Sequence, residues 1–275
     1  MDLRLTPEDE AFRKEVREWM KEELPPDWDA KERLIDFEEP EWVGFAQDFR
    51  KKLADKGWLV MHWPKEWGGQ DDPLKNMILT EELSYWGAPT GGQPVNQLSA
   101  MLLAHGSDEL KQYFLPGLAQ SKWKWVEGYS EPGGGSDLAN IQTHAVKDGD
   151  DYIISGSKIW NAAHADGDWM FGLVRTDMDQ PKHRGISFML INMRSPGITW
   201  EKVPMMWGKA RGLVTLDEVR VPQTNVVGEN ERGFYVVMAS LDAQRASLDR
   251  LANTVRIVDL LVQFARETSY DGEKV

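Results

Sequence analysis

The chain has 275 residues, 41% hydrophobic and 28% charged, a balance that marks a globular protein and excludes a disordered one. Its formal net charge of -13 excludes a general nucleic-acid binder, which needs lysine and arginine to neutralise phosphates, but leaves room for a local basic pocket for a small anion. The absence of cysteine rules out disulfides, iron–sulfur ligation and thiol catalysis and fits a reducing cytoplasm, while no apolar run reaches the roughly 18 residues of a membrane span.

The charged start, MDLRLTPEDE, reads as no signal peptide. Thr6 followed by Pro7 is an N-cap with proline at the first helical position, and Phe12, Val16, Trp19 and Met20 recur at helical spacing. The pattern predicts a helix over 7–24, stopped by Pro25-Pro26. A second helix is expected from Glu41 to Lys56, with Trp42, Phe45, Phe49 and Leu53 on one face and Gly57 as its stop. After a Pro/Gly-punctuated loop from His62 to Pro73, three more helical stretches lie near 75–86, 95–105 and 107–120. Residues 1–122 therefore read as an N-terminal helical domain.

Near Trp123 the period changes from helical to alternating. Strands are expected at 123–130, 140–147, 151–156, 168–175, 186–192, 198–204 and 213–221, separated by turns such as Asp148-Gly149-Asp150 and Ser195-Pro196-Gly197. Residues 123–232 thus form a middle domain, an antiparallel β-barrel or sandwich. The helical period returns at Gly233 and runs to about Glu267, so 233–275 is the start of a C-terminal helical domain, incomplete here. The fold class is α+β multidomain. A final helix pair alone leaves apolar surface uncovered, so either the native chain continues past Val275 or a partner covers it.

Chemistry concentrates in three stretches. WKWVEGYSEPGGGSD, Trp123 to Asp137, is an aromatic strand that breaks at Glu131-Pro132 into three glycines. Such a run lets backbone lie against a ligand or form an anion-binding concavity, and a glycine-rich hairpin without ligand fits it equally. Ser157 to Ala163 includes Trp160, either one wall of a flat aromatic ligand's pocket or a core residue. Leu241 to Arg245 carries an arginine that pairs either with a phosphate or with Asp242 or Asp249 on the helix surface. The five histidines, at 62, 105, 144, 164 and 183, have no metal-ligand spacing, so no metal site is expected. GGGS lies between strands, not in the strand-to-helix context of Rossmann or P-loop motifs.

EGYSEPGGGSD at 127–137 resembles the TEPGAGSD signature of the acyl-CoA dehydrogenase family. HWPKEWGG, KIWNAAHADGDWMFGLVRTD and DEVRVPQTNVVGENERGF resemble further blocks of that family, in the same order. The resemblance implies FAD between the β-domain and the C-terminal helices, with an acyl-CoA thioester against the flavin. A carboxylate takes the α-proton, the β-hydride passes to the flavin, and a trans-2-enoyl-CoA forms. Electrons leave to an electron-transfer flavoprotein. By resemblance, Tyr129, Ser130, Gly135, Ser136, Trp160, Asn161 and Ala162 hold the cofactor, while Ser136, Asp242, Gln244 and Arg245 meet the substrate. The implied partners are the acyl-CoA, the electron-transfer flavoprotein and further subunits in a homo- or hetero-oligomer, with neither nucleic acid nor membrane.

Three positions depart from the family pattern. Ala162 replaces a threonine or serine whose hydroxyl bonds the flavin, and its backbone N–H still remains for that contact. Gln244 stands where the isovaleryl and long-chain branches carry their catalytic glutamate, so the catalytic residue is not assigned. ARETSYDGEKV lacks the arginine that reaches a pyrophosphate across the dimer interface; only Arg266 is nearby. These departures also allow a non-catalytic or half-site subunit of a heteromer, and the fold is equally compatible with a flavin monooxygenase. Acyl preference is expected to depend on GAPTGGQP at 87–94.

Overall fold

A computed structural model describes residues 5–26, 28, 40–92, 94–161, 167–206, 210–245, 249–270 and 273–274. Two compact units emerge, one of Met1–Gly92 with Ala246–Val275, the other of Gln93–Arg245.

The first unit is helical. Helix α1 (Pro7–Glu23) starts on the expected cap: Thr6 Oγ1 accepts from Asp9 N at 3.2 Å, and Thr6 N donates to Asp9 Oδ2 at 2.9 Å. Helix α2 (Pro40–Asp55) ends at Gly57, whose φ of 68° lets Trp58 N reach back to Leu53 O at 2.8 Å. Helix α3 (Pro73–Tyr85) is capped by Asp72, which accepts from Lys75 N at 2.9 Å. Buried Glu82 on α3 takes a two-pronged ion pair from Arg17 on α1, at 2.7 and 2.8 Å. The long C-terminal helix (Asp249–Glu267) packs on α3: buried Arg256 donates to Tyr85 O at 3.0 Å, and the Tyr85 hydroxyl donates to Asp259 at 2.9 Å. Its other sides expose Leu251, Val255, Ile257, Val258, Leu261, Val262 and Phe264. No helix among the described residues is long and apolar enough to cross a membrane.

The second unit opens with a π-helical segment (Pro94–Leu98) that runs into α4 (Ser99–His105), where the period predicts one regular helix. Helix α5 (Asp108–Ala119), capped by Ser107, follows. Seven strands then form one sheet: β1 (Trp125–Gly128), β2 (His144–Asp148), β3 (Asp151–Asn161), β4 (Trp169–Arg175), β5 (Ile186–Asn192), β6 (Ile198–Pro204) and β7 (Ala210–Pro222). They run in the order β1-β4-β2-β3-β7-β6, with β5 also paired to β4. Most pairings are antiparallel, but β1 runs parallel to β4, with Trp125 opposite Trp169 and Gly128 opposite Gly172. That parallel pairing differs from an all-antiparallel reading because alternation marks strands without giving their direction. One sheet face closes a core of Val126, Ile154, Met170, Val174, Met189 and Val214 with their neighbours. Opposite-parity residues Trp125, Phe171 and Phe188 form an aromatic layer with Tyr129, and Trp125 touches Phe114 of α5. Helix α6 (Gly233–Arg245) packs on β5 and on the 94–105 helical stretch, with Gly233 so close to Ser187 and Phe188 that a Cβ would lie 2.2 Å from Phe188 N. With α6 introduced, the 249–267 helix is α7.

Candidate functional site

The glycine stretch leaves β1 as a tightly tethered loop. Glu131 N donates to Gly134 O at 2.8 Å and Gly134 N returns to Glu131 O at 3.0 Å, closing a turn over Pro132 and Gly133. Glu131 points inward, where its carboxylate accepts from Gln142 N at 2.6 Å, Thr143 N at 2.9 Å and the Lys158 ammonium at 2.9 Å. Lys158, 1% exposed, also donates to Tyr129 O at 3.3 Å. Arg175, buried at the end of β4, donates to Ala139 O at 2.8 Å and Ile141 O at 3.2 Å, holding the Leu138–Asn140 turn that follows the glycines. At the outer end Lys182 pairs with Asp137 at 2.9 Å.

The buried pair sets the electrostatics beneath the loop. Burial pushes the Glu131 carboxyl up, but Lys158 and the donors from Gln142 and Thr143 outweigh it and hold it below the usual range. Burial likewise pulls the Lys158 ammonium down, to about 8, because one carboxylate oxygen and one carbonyl replace a full hydration shell. Glu131 keeps its charge more firmly because it has more partners. Neither residue was singled out in the sequence, although alternation gave a signal: Tyr152, Ile154 and Lys158 share one parity of β3, which places a lysine on the core face.

The loop and the Trp160 strand are hydrogen-bonded side by side. Ile159 N donates to Ser130 O at 2.9 Å, and the Asn161 amide donates to Glu127 O. By strict alternation Trp160 belongs on the core face. Instead the β3–β7 register shifts between Ile159 and Asn161, Trp160 takes φ 67°, and its side chain is 51% exposed. A bulge has turned the indole outward at the cost of a left-handed backbone, an arrangement that clusters at ligand sites. Asn161 lies buried instead.

The glycines also face outward. None of Gly133, Gly134 and Gly135 has positive φ, and a Cβ on Gly133 would meet nothing within 4 Å. Neither backbone strain nor internal packing therefore requires glycine at 133. Gly135 is different: its Cβ would lie 3.3 Å from Ser130 Oγ, so its smallness leaves the half-buried serine hydroxyl unobstructed. Ser136 is exposed beside it. Tyr129 is only 6% exposed, its ring against Phe171 and Phe188, so its side chain sits below the surface on which Trp160 stands. Its hydroxyl, and Asn161 Oδ1, are buried without a hydrogen-bond partner among the described residues.

An exposed indole, an unobstructed hydroxyl, bare backbone at the glycines and two orphaned polar atoms together fit a flat, polar-edged cofactor such as a flavin. Ala162 lies outside the described residues. Asp242, Gln244 and Arg245 lie on α6 in the same unit, but their side chains are outside the described residues. Among the described residues no cluster of three or more histidine, aspartate or glutamate side chains is arranged to hold a metal ion.

Comparison with known proteins gives this arrangement a context. Residues 6–122 match the model of the acyl-CoA dehydrogenase N-terminal domain, and 127–216 that of the middle domain. The chain is 35% identical over 255 residues to acyl-CoA dehydrogenase FadE26 of Mycobacterium tuberculosis, covering 90% of this chain but 63% of that protein, less than two thirds of its length. FadE29 of the same organism is 30% identical over 274 residues, covering 99% of this chain and 70% of that protein. Among solved structures, the Tcur3481-Tcur3483 steroid ACAD superposes with a TM-score of 0.86 at 32% identity, covering 98% of this chain and 69% of that one. The ChsE4-ChsE5 complex from Mycobacterium tuberculosis gives 0.85 at 32% identity, covering 100% and 70%.

Proposed function

Because the chain belongs to the acyl-CoA dehydrogenase family, whose members are FAD-dependent flavoproteins, we propose that it takes part in α,β-dehydrogenation of an acyl-CoA thioester to a trans-2-enoyl-CoA, with the electrons passing to an electron-transfer flavoprotein. The observation that carries this reading is the outward-turned Trp160 beside the open Ser130 and Gly133–Gly135 surface. When bound, the cofactor supplies a hydride acceptor for the acyl β-carbon. The chain's own residues do the holding. Trp160 backs the ring system, Ser130 offers a hydroxyl to its polar edge, and the exposed Gly135–Ser136 backbone admits the CoA side. The Glu131–Lys158 pair keeps that surface rigid by fixing the loop from below. By the family resemblance, Asp242 and Arg245 of α6 would meet the CoA moiety. Gln244 cannot accept the α-proton, since a neutral amide is not a base, so the base is drawn from another position. The experiment is an anaerobic titration of the FAD-loaded protein with acyl-CoAs: loss of the visible flavin band supports the dehydrogenase reading, whereas no bleaching there, with an oxygenated product formed in a parallel aerobic incubation with a reductant, would replace it by a monooxygenase.

A second reading is favoured by Gln244 together with the two-component make-up of the Tcur3481-Tcur3483 and ChsE4-ChsE5 neighbours. In it, this chain supplies the cofactor face of a shared site while a second, different chain supplies the base. The FAD-loaded chain then binds acyl-CoA without bleaching, and adding the second chain restores bleaching. Bleaching by the chain alone would rule this arrangement out.

A further inference from the structure

Gln97 has no role in the site described above, and its surroundings are unusual. It lies in the π-helical Pro94–Leu98 segment, a winding that interrupts regular helix bonding and recurs at functional positions. The residue is 2% exposed, yet neither amide Nε2 nor Oε1 has a hydrogen-bond partner among the described residues. Burial alone does not impose this, since Ser99 at the start of α4, equally buried, donates its hydroxyl to Val95 O of the segment. A primary amide carries two donor hydrogens and an acceptor oxygen, and leaving all of them dry is costly. The cost is offset if a ligand completes the bonds.

Position indicates which ligand. The 94–98 segment packs on α6 as well as on α4 and α5, and α6 carries Asp242, Gln244 and Arg245. On the acyl-CoA reading, on which this step rests, the thioester substrate lies along α6. A purely hydrocarbon acyl group would bury the amide without satisfying it, whereas a hydroxyl or ketone oxygen would pair with it. We infer that Gln97 is a specificity-determining residue whose side-chain amide hydrogen-bonds an oxygen on the acyl group, so that the preferred substrates are oxygenated acyl-CoAs.

The test compares wild type with Gln97→Leu and Gln97→Met, both FAD-loaded, in equilibrium binding of matched ligands: cyclohexane-1-carbonyl-CoA against its 4-oxo derivative, and octanoyl-CoA against 8-hydroxyoctanoyl-CoA. Wild type is expected to favour the oxygenated member of at least one pair by about tenfold, and both variants to lose that preference without weaker binding of the hydrocarbon member. Each ligand-free variant is also expected to melt no lower than wild type, because an unpaired polar group has been removed. A preference unchanged within twofold in both pairs, or a lower melting temperature in both variants, overturns the inference while leaving the acyl-CoA reading intact. Failure of wild type to bind any of the four acyl-CoAs overturns both. Two variants are used so that misfolding of one is not mistaken for a result.

Discussion

Trp160 shows how much one backbone angle decides. Its φ of 67° and 51% exposure turn a residue that alternation assigns to the core into a surface platform. Trp160→Gly is therefore expected to change the unfolding free energy of cofactor-free protein by less than about 1 kcal/mol, since relief of the left-handed backbone offsets lost packing; a core tryptophan would cost about 3–5 kcal/mol. FAD affinity should fall about tenfold, measured by flavin fluorescence titration. Lys158 is the opposite case, a charge held inside. Lys158→Met leaves Glu131 buried without its cation and should cost about 3–5 kcal/mol in urea unfolding, with much of the loss recovered by adding Glu131→Gln. The pair also fixes a pH signature. Lys158 titrates at about 8 when folded against 10.5 for the ordinary side chain, so between these values the unfolded chain binds more protons. Its contribution is thus fully present above the upper value and lost as pH falls through about 8. Stability of wild type relative to the double variant should rise from pH 8 to 10, and a flat difference would contradict the buried, depressed lysine. On the acid side, Glu131 stabilises above its ordinary carboxyl range and that contribution is lost as pH falls through its lowered value.

At the scale of elements, the glycine loop and β3 divide cleanly between what the fold needs and what a ligand needs. Gly156 sits at φ 148° with Thr143 Oγ1, Cα and Cβ at 2.5, 2.6 and 2.7 Å from where a Cβ would be, so Gly156→Ala should destabilise by about 1–3 kcal/mol. Gly133→Ala meets open space and should leave unfolding within about 0.5 kcal/mol of wild type while weakening FAD or acyl-CoA binding. Equal effects of the two on stability would contradict the division. The sequence showed both ends of this loop: the Glu131-Pro132 break, the strand before it and the Trp160 strand that answers it. It did not show the clamps beneath, because Lys158 and Arg175 reach across 27 to 34 residues of chain, in part to backbone carbonyls that carry no sequence mark. Helix ends at Thr6 and Gly57 were legible because caps are local chemistry. The π-winding before Ser99 and the parallel register of β1 were not, since each depends on packing rather than on a periodic pattern.

For the molecule as a whole, four motif blocks in one order carry more information than any single residue, and the family models cover the regions where three of them fall. Among the described residues α7 exposes an apolar face; replacing Leu261, 61% exposed, by glutamate should leave unfolding within about 0.5 kcal/mol of wild type, which equilibrium denaturation would check. On the proposed function one surface matters most, where Trp160, Ser130 and the open glycines would hold the flavin against an acyl thioester. The most direct test is the visible spectrum of the purified chain after FAD loading and gel filtration, recorded without oxygen before and after addition of acyl-CoA. The expected result is retained flavin whose spectrum responds to the thioester, and a weakened response in Trp160→Gly. A chain that retains no flavin, or whose flavin spectrum ignores every acyl-CoA offered, would contradict it.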